Sequence, residues 1–445
     1  MIGFGPRSRF NDPKSFQKLK TALERRIVEA VDLTRAPEID ERELRDSVKA
    51  LATQVCASDS VGLPSEMREA MVGEILAEIY GFGPLEPLIS DPEVSDVLVN
   101  GPDNVCVERK GVIEETEIKF ADEAHLRQLI ERLVRRAGRR ISERSPVVGA
   151  QLPDGSLLNV VLTPAAHRGP MLSIRRVGLK AVGLEDLLRR GSLAPEMVEF
   201  LTAAVWGRLN LLISGATAAG KTTLLGGLAR LIPESERIVT IEQTAELHLE
   251  RPDVVSLEAR SAGGAGQLPV TLPELLRSGL RMRPDRLLVG EARGSELLDL
   301  LQAMSAGHPG SMLTVNAIGT RDALERIELL TASGDGRPSS GLYHQIASAF
   351  QLLIHVARLA SGERKVVRIS ELCGYFDGSY VIEDIFVYRA AGTDEQGHAQ
   401  GLFYSTGYEP TCLPQLAALG NTLDGEFFAP KELSPAGQTR ELIQN

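Results

Sequence analysis

Residues 215–223 read GATAAGKTT: a glycine, four residues, then glycine, lysine and threonine. A strand-like apolar run (209–213) precedes them and a helix-like run (222–230) follows. A loop of this pattern needs that setting. Its backbone N–H groups must converge on a phosphate at the positive end of the helix dipole. Glycine is required at 215 and 220, where a side chain would block the turn or the phosphate. The chain is therefore expected to bind a nucleoside triphosphate. Lys221 would reach the β- and γ-phosphates and the Thr222 hydroxyl would ligate Mg²⁺, with Gly215, Thr217, Gly220 and Thr223 completing the loop. Lys221 is expected to face solvent and to have no part in the core.

The rest of the composition narrows the class. At 445 residues there is room for two or three domains. No apolar run approaches the roughly 18 residues that cross a bilayer, and the start, MIGFGPRSRF, lacks the apolar segment of a signal peptide. A cytoplasmic protein is expected. Cys56, Cys106, Cys373 and Cys412 are far apart and form no zinc-like or disulfide pattern. A net charge of −11 argues against a general nucleic-acid binder, and no nucleic-acid partner is expected. Arg132, Arg135, Arg136, Arg139, Arg140 and Arg144 run against that balance, as a solvated helix face or as an intersubunit or phosphate-facing surface.

Four segments follow from the patterning. Residues 1–80 read as a helical bundle, with Leu19, Leu23, Ile27 and Val31, then Met71, Ile75 and Ile79, at helical spacing. Residues 81–178 read as an α/β domain. It has a hairpin turned at Lys110-Gly111, a helix capped by Asp122 with Leu126, Leu129, Ile130, Leu133 and Val134 on its apolar face, and a second hairpin at 153–155. Residues 178–183 look like a hinge. From 184 helices alternate with apolar strands (209–213, 237–242, 286–289 and 311–315), the signature of a parallel sheet, and this third domain runs to 390. Strands at 351–356, 365–372 and 380–388 lie too close together for helical crossovers and are expected to extend the sheet antiparallel. Residues 391–445 read as a tail.

Two strand ends add chemistry to the loop. In RPDRLLVGE (283–291) an apolar strand delivers Glu291 to the crevice beside the loop, where it would orient the attacking water. The residue before it is Gly290, so metal binding would lean on Thr222, phosphate oxygens and waters. Glu242 ends the strand IVTIE and is a second candidate for holding Mg²⁺-bound water. His308, in the turn AGHPGS, reads equally as a phosphate sensor or as a structural turn histidine.

With these elements in order, the chain resembles the secretion and pilus-assembly ATPases, specifically the CpaF type that powers tight-adherence (Tad) pili. The resemblance spans about residues 80–428 and rests on GFGPLEPLISDPEVSDVLVNGPDNVCVERKG, RRISERSPVVGAQLPDGS, GATAAGKTT, RIVTIEQTAEL, RMRPDRLLVGEAR and SAGHPGSMLTVNA. It implies a RecA-like ATPase domain hinged to a preceding α/β domain, with an N-terminal helical bundle. It implies ATP and Mg²⁺, a homo-hexameric ring, and a platform protein at the cytoplasmic face of the inner membrane. By position it makes Glu291 the catalytic glutamate, Glu242 the glutamate of the aspartate box and His308 the first histidine of the histidine box. Arg175, in LSIRR, matches an arginine that reaches the bound phosphates, and Arg293 the arginine after the catalytic glutamate.

Departures from the family pattern cluster on the chemistry. Ala216, Ala218 and Ala219 replace residues of GGTGSGKTT, Gln243 the aspartate of IEDT, and Asn316 the second histidine. Gln151 and Leu157 replace the arginines of ARLPDGSR. They imply a slow motor. A non-hydrolysing structural subunit of a mixed ring and a motor for protein or DNA export remain the alternatives.

Overall fold

The computed structural model describes residues 41–57, 65–109, 112–176, 182–260, 268–331, 340–393 and 399–433. The helix expected before residue 41, the Lys110-Gly111 turn and most of the 178–183 hinge lie outside them. Two compact units result, residues 1–177 and 178–445.

In the first unit, helices Glu41–Ala57 and Ser65–Tyr80 pack through Val48, Ala52, Cys56, Met71, Val72 and Ile75. A six-stranded antiparallel sheet follows, of β1 (Val94–Asn100), β2 (Val105–Arg109), β3 (Val112–Glu115), β4 (Val147–Gln151), β5 (Leu157–Val161) and β6 (Met171–Arg175). Its order is β3-β2-β1-β6-β5-β4. Asp122 caps helix Glu123–Arg136 by accepting from the His125 N–H at 2.8 Å, and the helix buries Leu126, Leu129, Ile130, Leu133 and Val134. Part of the basic run has a structural use. Arg132 donates to the Gly81 carbonyl and Arg136 to the Tyr80 carbonyl, satisfying acceptors at the end of the preceding helix.

The second unit is built on one ten-stranded sheet. In chain order its strands are β7 (Leu211–Gly215), β8 (Ile238–Glu242), β9 (Val254–Glu258), β10 (Arg286–Glu291), β11 (Met312–Asn316), β12 (Leu352–Arg358), β13 (Arg364–Phe376), β14 (Ser379–Thr393), β15 (Ala399–Ser405) and β16 (Lys431–Leu433). Across the sheet they run β16-β15-β14-β13-β12-β7-β11-β10-β8-β9. The six from β12 to β9 are parallel and the other four antiparallel. Helices Pro195–Trp206 and Lys221–Ala229 cover one face around Phe200, Leu225 and Leu228; Leu272–Leu280, Glu296–Ala306, Thr320–Thr331 and Ser340–Ala349 cover the other. This is a RecA-like α/β plan.

Two expectations need correction. β12 is parallel to β7, not antiparallel, because helices Thr320–Thr331 and Ser340–Ala349 supply the crossover that its sequence spacing hid. Residues 399–433 are no tail: β15 and β16 extend the sheet, and Phe403, Phe428 and Leu433 are buried in its core.

Candidate nucleotide site

Register places the chemistry. Gly215, ending β7, lies opposite Asn316, ending β11, and Glu291, ending β10, pairs with Thr314 of β11. Glu242 ends β8 on the far side of β10. Four parallel strands thus deliver their last residues to one edge, where helix Lys221–Ala229 begins. Crevices at such edges are where open α/β sheets take ligands.

The loop is shaped by close approach. An ideal Cβ on Gly215 would lie 2.4 Å from the Val356 carbonyl, so no other residue fits there. Gly220 has φ of 103°, in the left-handed region that favours glycine. Ala218 has φ of 61°, at a position where the family pattern carries glycine. The cost of that conformation for an alanine is about 1–2 kcal/mol. Thr217 and Thr223 are exposed, and Thr222 is half-buried in the helix's first turn.

Lys221 does not face solvent. It is 6% exposed, and burial pushes its amine pKa down, opposed by the charge of Glu291. The reason is a chain of contacts across the strand ends. Lys221 Nζ donates to the Ala216 carbonyl at 2.9 Å and to Asn316 Oδ1, and Asn316 Nδ2 donates to Glu291 Oε1. Arg293 donates to both Glu291 oxygens, and that bond raises its own pKa. Asn316, which replaces the second histidine of the family pattern, here bridges the lysine and the glutamate.

Glu242 is 2% exposed and turned to backbone: Oε1 accepts from the N–H of Glu246 at 3.0 Å and of Leu247 at 3.1 Å. Burial pushes its carboxyl pKa up to about 7 in spite of those bonds. Gly290 makes room for it, since a Cβ there would sit 3.0 Å from Glu242 Cγ. Its neighbour Glu246, which sequence reasoning passed over, contributes negative potential at Lys221. His355 on β12 was also missed: Nδ1 lies 2.9 Å from Ser214 Oγ, and burial lowers its pKa. A polar residue inside the apolar run LLIHVAR was the available signal.

His308 is not brought to the loop. It precedes β11, whose other end carries Asn316, and its carbonyl accepts from Ser311 Oγ at 2.8 Å. Its turn wraps Arg286, which is 0% exposed, bonded to Glu236 and to the Val205 and Gly310 carbonyls. Arg175 lies in the first unit, where Nε donates to Asp96 Oδ1 at 3.0 Å. Gln151 pairs with Leu157, Leu157 with Arg175 and Arg175 with Asp96, one row across four strands.

The family model described as "Type II/IV secretion system protein" matches residues 78–403. This chain belongs to that family. A putative conjugal transfer protein of Mycobacterium tuberculosis is 40% identical over 301 residues, 66% of this chain and 85% of its own length. The type IV secretion system protein VirB11 of Brucella suis is 33% identical over 290 residues, 59% of this chain and 80% of its own. The crystal structure of the VirB11 ATPase from the Brucella suis system, in complex with sulphate, aligns with a TM-score of 0.35 at 29% identity. That alignment covers 66% of this chain and 97% of that one.

Membership in the type II/IV secretion family brings nucleotide binding with it, and the start of helix Lys221–Ala229, with the Lys221 amine beside the loop, suits a phosphate. Among the described residues no group of three or more His, Cys, Asp and Glu could hold a metal ion, and no helix is long and apolar enough to cross a membrane. Thr222, half-buried in the first turn of helix Lys221–Ala229, has a hydroxyl of the kind that a nucleotide-borne Mg²⁺ takes as a ligand.

Proposed function

We propose that this chain hydrolyses ATP as one subunit of a hexameric motor, docked on a membrane platform protein at the cytoplasmic face of the inner membrane. Its service is the assembly of a Tad-type pilus. The contact chain from Lys221, at the start of the helix after β7, through Asn316 to Glu291, at the ends of β11 and β10, carries this reading. Lys221 binds the outer phosphates, the loop amides hold the β-phosphate, and Glu291 orients and polarises the attacking water. Bound Mg²⁺ would neutralise phosphate charge and be held through Thr222. Glu242 keeps the loop after β8 in place and stands ready as an outer partner of that metal's water. Arg175 and Arg293 are the cations we assign to phosphate charge that develops during transfer, and His308 is assigned to the turn over Arg286.

A second reading is favoured by the names of the relatives. Conjugal transfer and type IV secretion are the services attached to the 40% and 33% identical proteins, so export of protein or DNA is the alternative cargo. The test has two parts. Purified protein is assayed for phosphate release, and its mass is measured with a non-hydrolysable ATP analogue at micromolar concentration. Turnover with a ring of about six subunits is expected. A strict monomer with nucleotide bound counts against the ring, and binding without turnover favours a structural subunit.

A further inference from the structure

The β12–β13 hairpin flanks the phosphate loop. β12 runs beside β7 as far as His355, opposite Ser214, and its Val356 carbonyl then fills the space beside Gly215. Arg364, opposite Arg358 in the first position of β13, reaches back to the loop. Its Nε donates to the Ala218 carbonyl at 3.0 Å, and its Cδ would be 3.2 Å from a Cβ on Gly220.

That contact falls on the loop's one non-glycine residue with positive φ. In a trans peptide C=O and N–H point in opposite directions. With the Ala218 carbonyl held outward by Arg364, the Ala219 N–H faces across the loop and donates to the Ala216 carbonyl at 3.2 Å. The same carbonyl accepts from Lys221 Nζ, so this N–H points towards the side of the loop where the lysine sits. A flipped peptide would turn an oxygen, not an N–H, towards an incoming phosphate. Glycine at 218 would adopt this left-handed conformer without strain; alanine does not, and the Arg364 bond to its carbonyl, made in this conformer, offsets that cost.

We propose that Arg364 is a positioning residue for nucleotide binding, clamping the Ala218–Ala219 peptide in the orientation that accepts an anion. The proposal rests on reading residues 215–223 as a phosphate loop. Arg364 acts through the loop backbone and touches no phosphate.

The experiment measures ADP affinity by calorimetry for the parent, Arg364→Ala, Arg364→Lys, Ala218→Gly and the double variant Ala218→Gly/Arg364→Ala. The nucleotide-free thermal midpoint is recorded for each. Arg364→Ala should weaken ADP binding at least about tenfold with little change in that midpoint. Lysine, without a planar Nε–H, should restore little of it. On the Ala218→Gly background the loss should shrink to about threefold or less, since the two residues are coupled. Parental affinity in Arg364→Ala overturns the proposal. So does a loss that lysine rescues and that is equal on both backgrounds, the pattern of direct charge attraction to phosphate. Should Arg364→Ala fail to fold, Arg364→Lys on the two backgrounds carries the comparison, and equal ADP affinity with the parent overturns it. A parent that binds no ADP removes the phosphate-loop reading itself, a result distinct from all of these.

Discussion

Arg293 grips Glu291 with one edge of its guanidinium: Nε donates to Oε1 at 2.8 Å and Nη2 to Oε2 at 2.9 Å. Asn316 Nδ2 adds a third donor on Oε1. A carboxylate has about four lone-pair directions, so one is left for a water. The glutamate is therefore oriented without nucleotide, and in the proposed role of Arg293 the arginine would share or release it as phosphate charge develops.

Glu291→Gln should keep MgATP affinity within about threefold while single-turnover hydrolysis falls by about 10²–10⁴, the usual worth of a positioned general base. Filter binding and quenched-flow phosphate release measure the two quantities. Unchanged hydrolysis would remove Glu291 from the water-orienting role.

Lys221→Ala should reduce MgATP affinity at least about a hundredfold and leave the far-UV circular dichroism unchanged. The amine already bears a desolvation cost in the folded chain, as the downward push on its pKa indicates, so its loss is not a core defect. Undiminished binding would sink the phosphate-loop assignment.

Glu242 makes stability depend on pH. Its folded pKa, pushed up to about 7 by burial, lies above the ordinary 4.5. A raised carboxyl stabilises the fold fully below the lower value, and that contribution is lost as pH rises through the higher one. The interval corresponds to roughly 3 kcal/mol. The stability of the parent relative to Glu242→Gln should fall between pH 5 and 8 in urea denaturation. A flat difference would place the carboxyl at its ordinary value.

Gly310→Ala should destabilise the second unit by about 3 kcal/mol or more while any folded protein keeps its ADP affinity. The new Cβ would lie 1.9 Å from Arg286 Nη1 and carry φ of 77°, and moving Arg286 would strip Glu236 of its buried partner. A stability loss under 1 kcal/mol, or ADP binding that falls in step with it, would contradict this separation of turn and site.

How far these features could be read from sequence depends on the range of the interaction. The placement of Gly215 and Glu291 at strand ends and of Lys221 at a helix start was legible because strand, turn and helix periods are local and parallel strands must end together. The burial of Lys221 was not, because it depends on Asn316, ninety-five positions away. β12 was assigned antiparallel because its spacing to β13 dominates the local pattern, while its pairing with β7 depends on a crossover whose two helices went unread. Residues 399–433 look tail-like when their turns are counted, yet Glu371 ties them down by accepting from Tyr408, Thr411 and Cys412. No local pattern announces such a contact. Glu242 and His308 carry family positions, but backbone amides hold the first and a turn over Arg286 the second.

Leu157 stands directly between Gln151 and Arg175 in the cross-strand row, with Asp96 beyond. An arginine at 157 would face Arg175 across the ladder, and like charges so placed cost about 0.2–1 kcal/mol. Arg175 already has a partner in Asp96 at 3.0 Å, so that repulsion is partly offset. If the row supplies cations to the phosphates, as proposed for Arg175, the apolar leucine is the substitution that chemistry absorbs least. Leu157→Arg with Gln151→Arg should then raise the ATPase rate several-fold. It should also lower the nucleotide-free thermal midpoint slightly, a deficit that a non-hydrolysable ATP analogue reverses because phosphate supplies the missing counter-charge. A parental rate with no such reversal would mean that these positions do not limit catalysis. If parent and variant both bind ATP and neither hydrolyses it, the chain is a structural subunit of its ring.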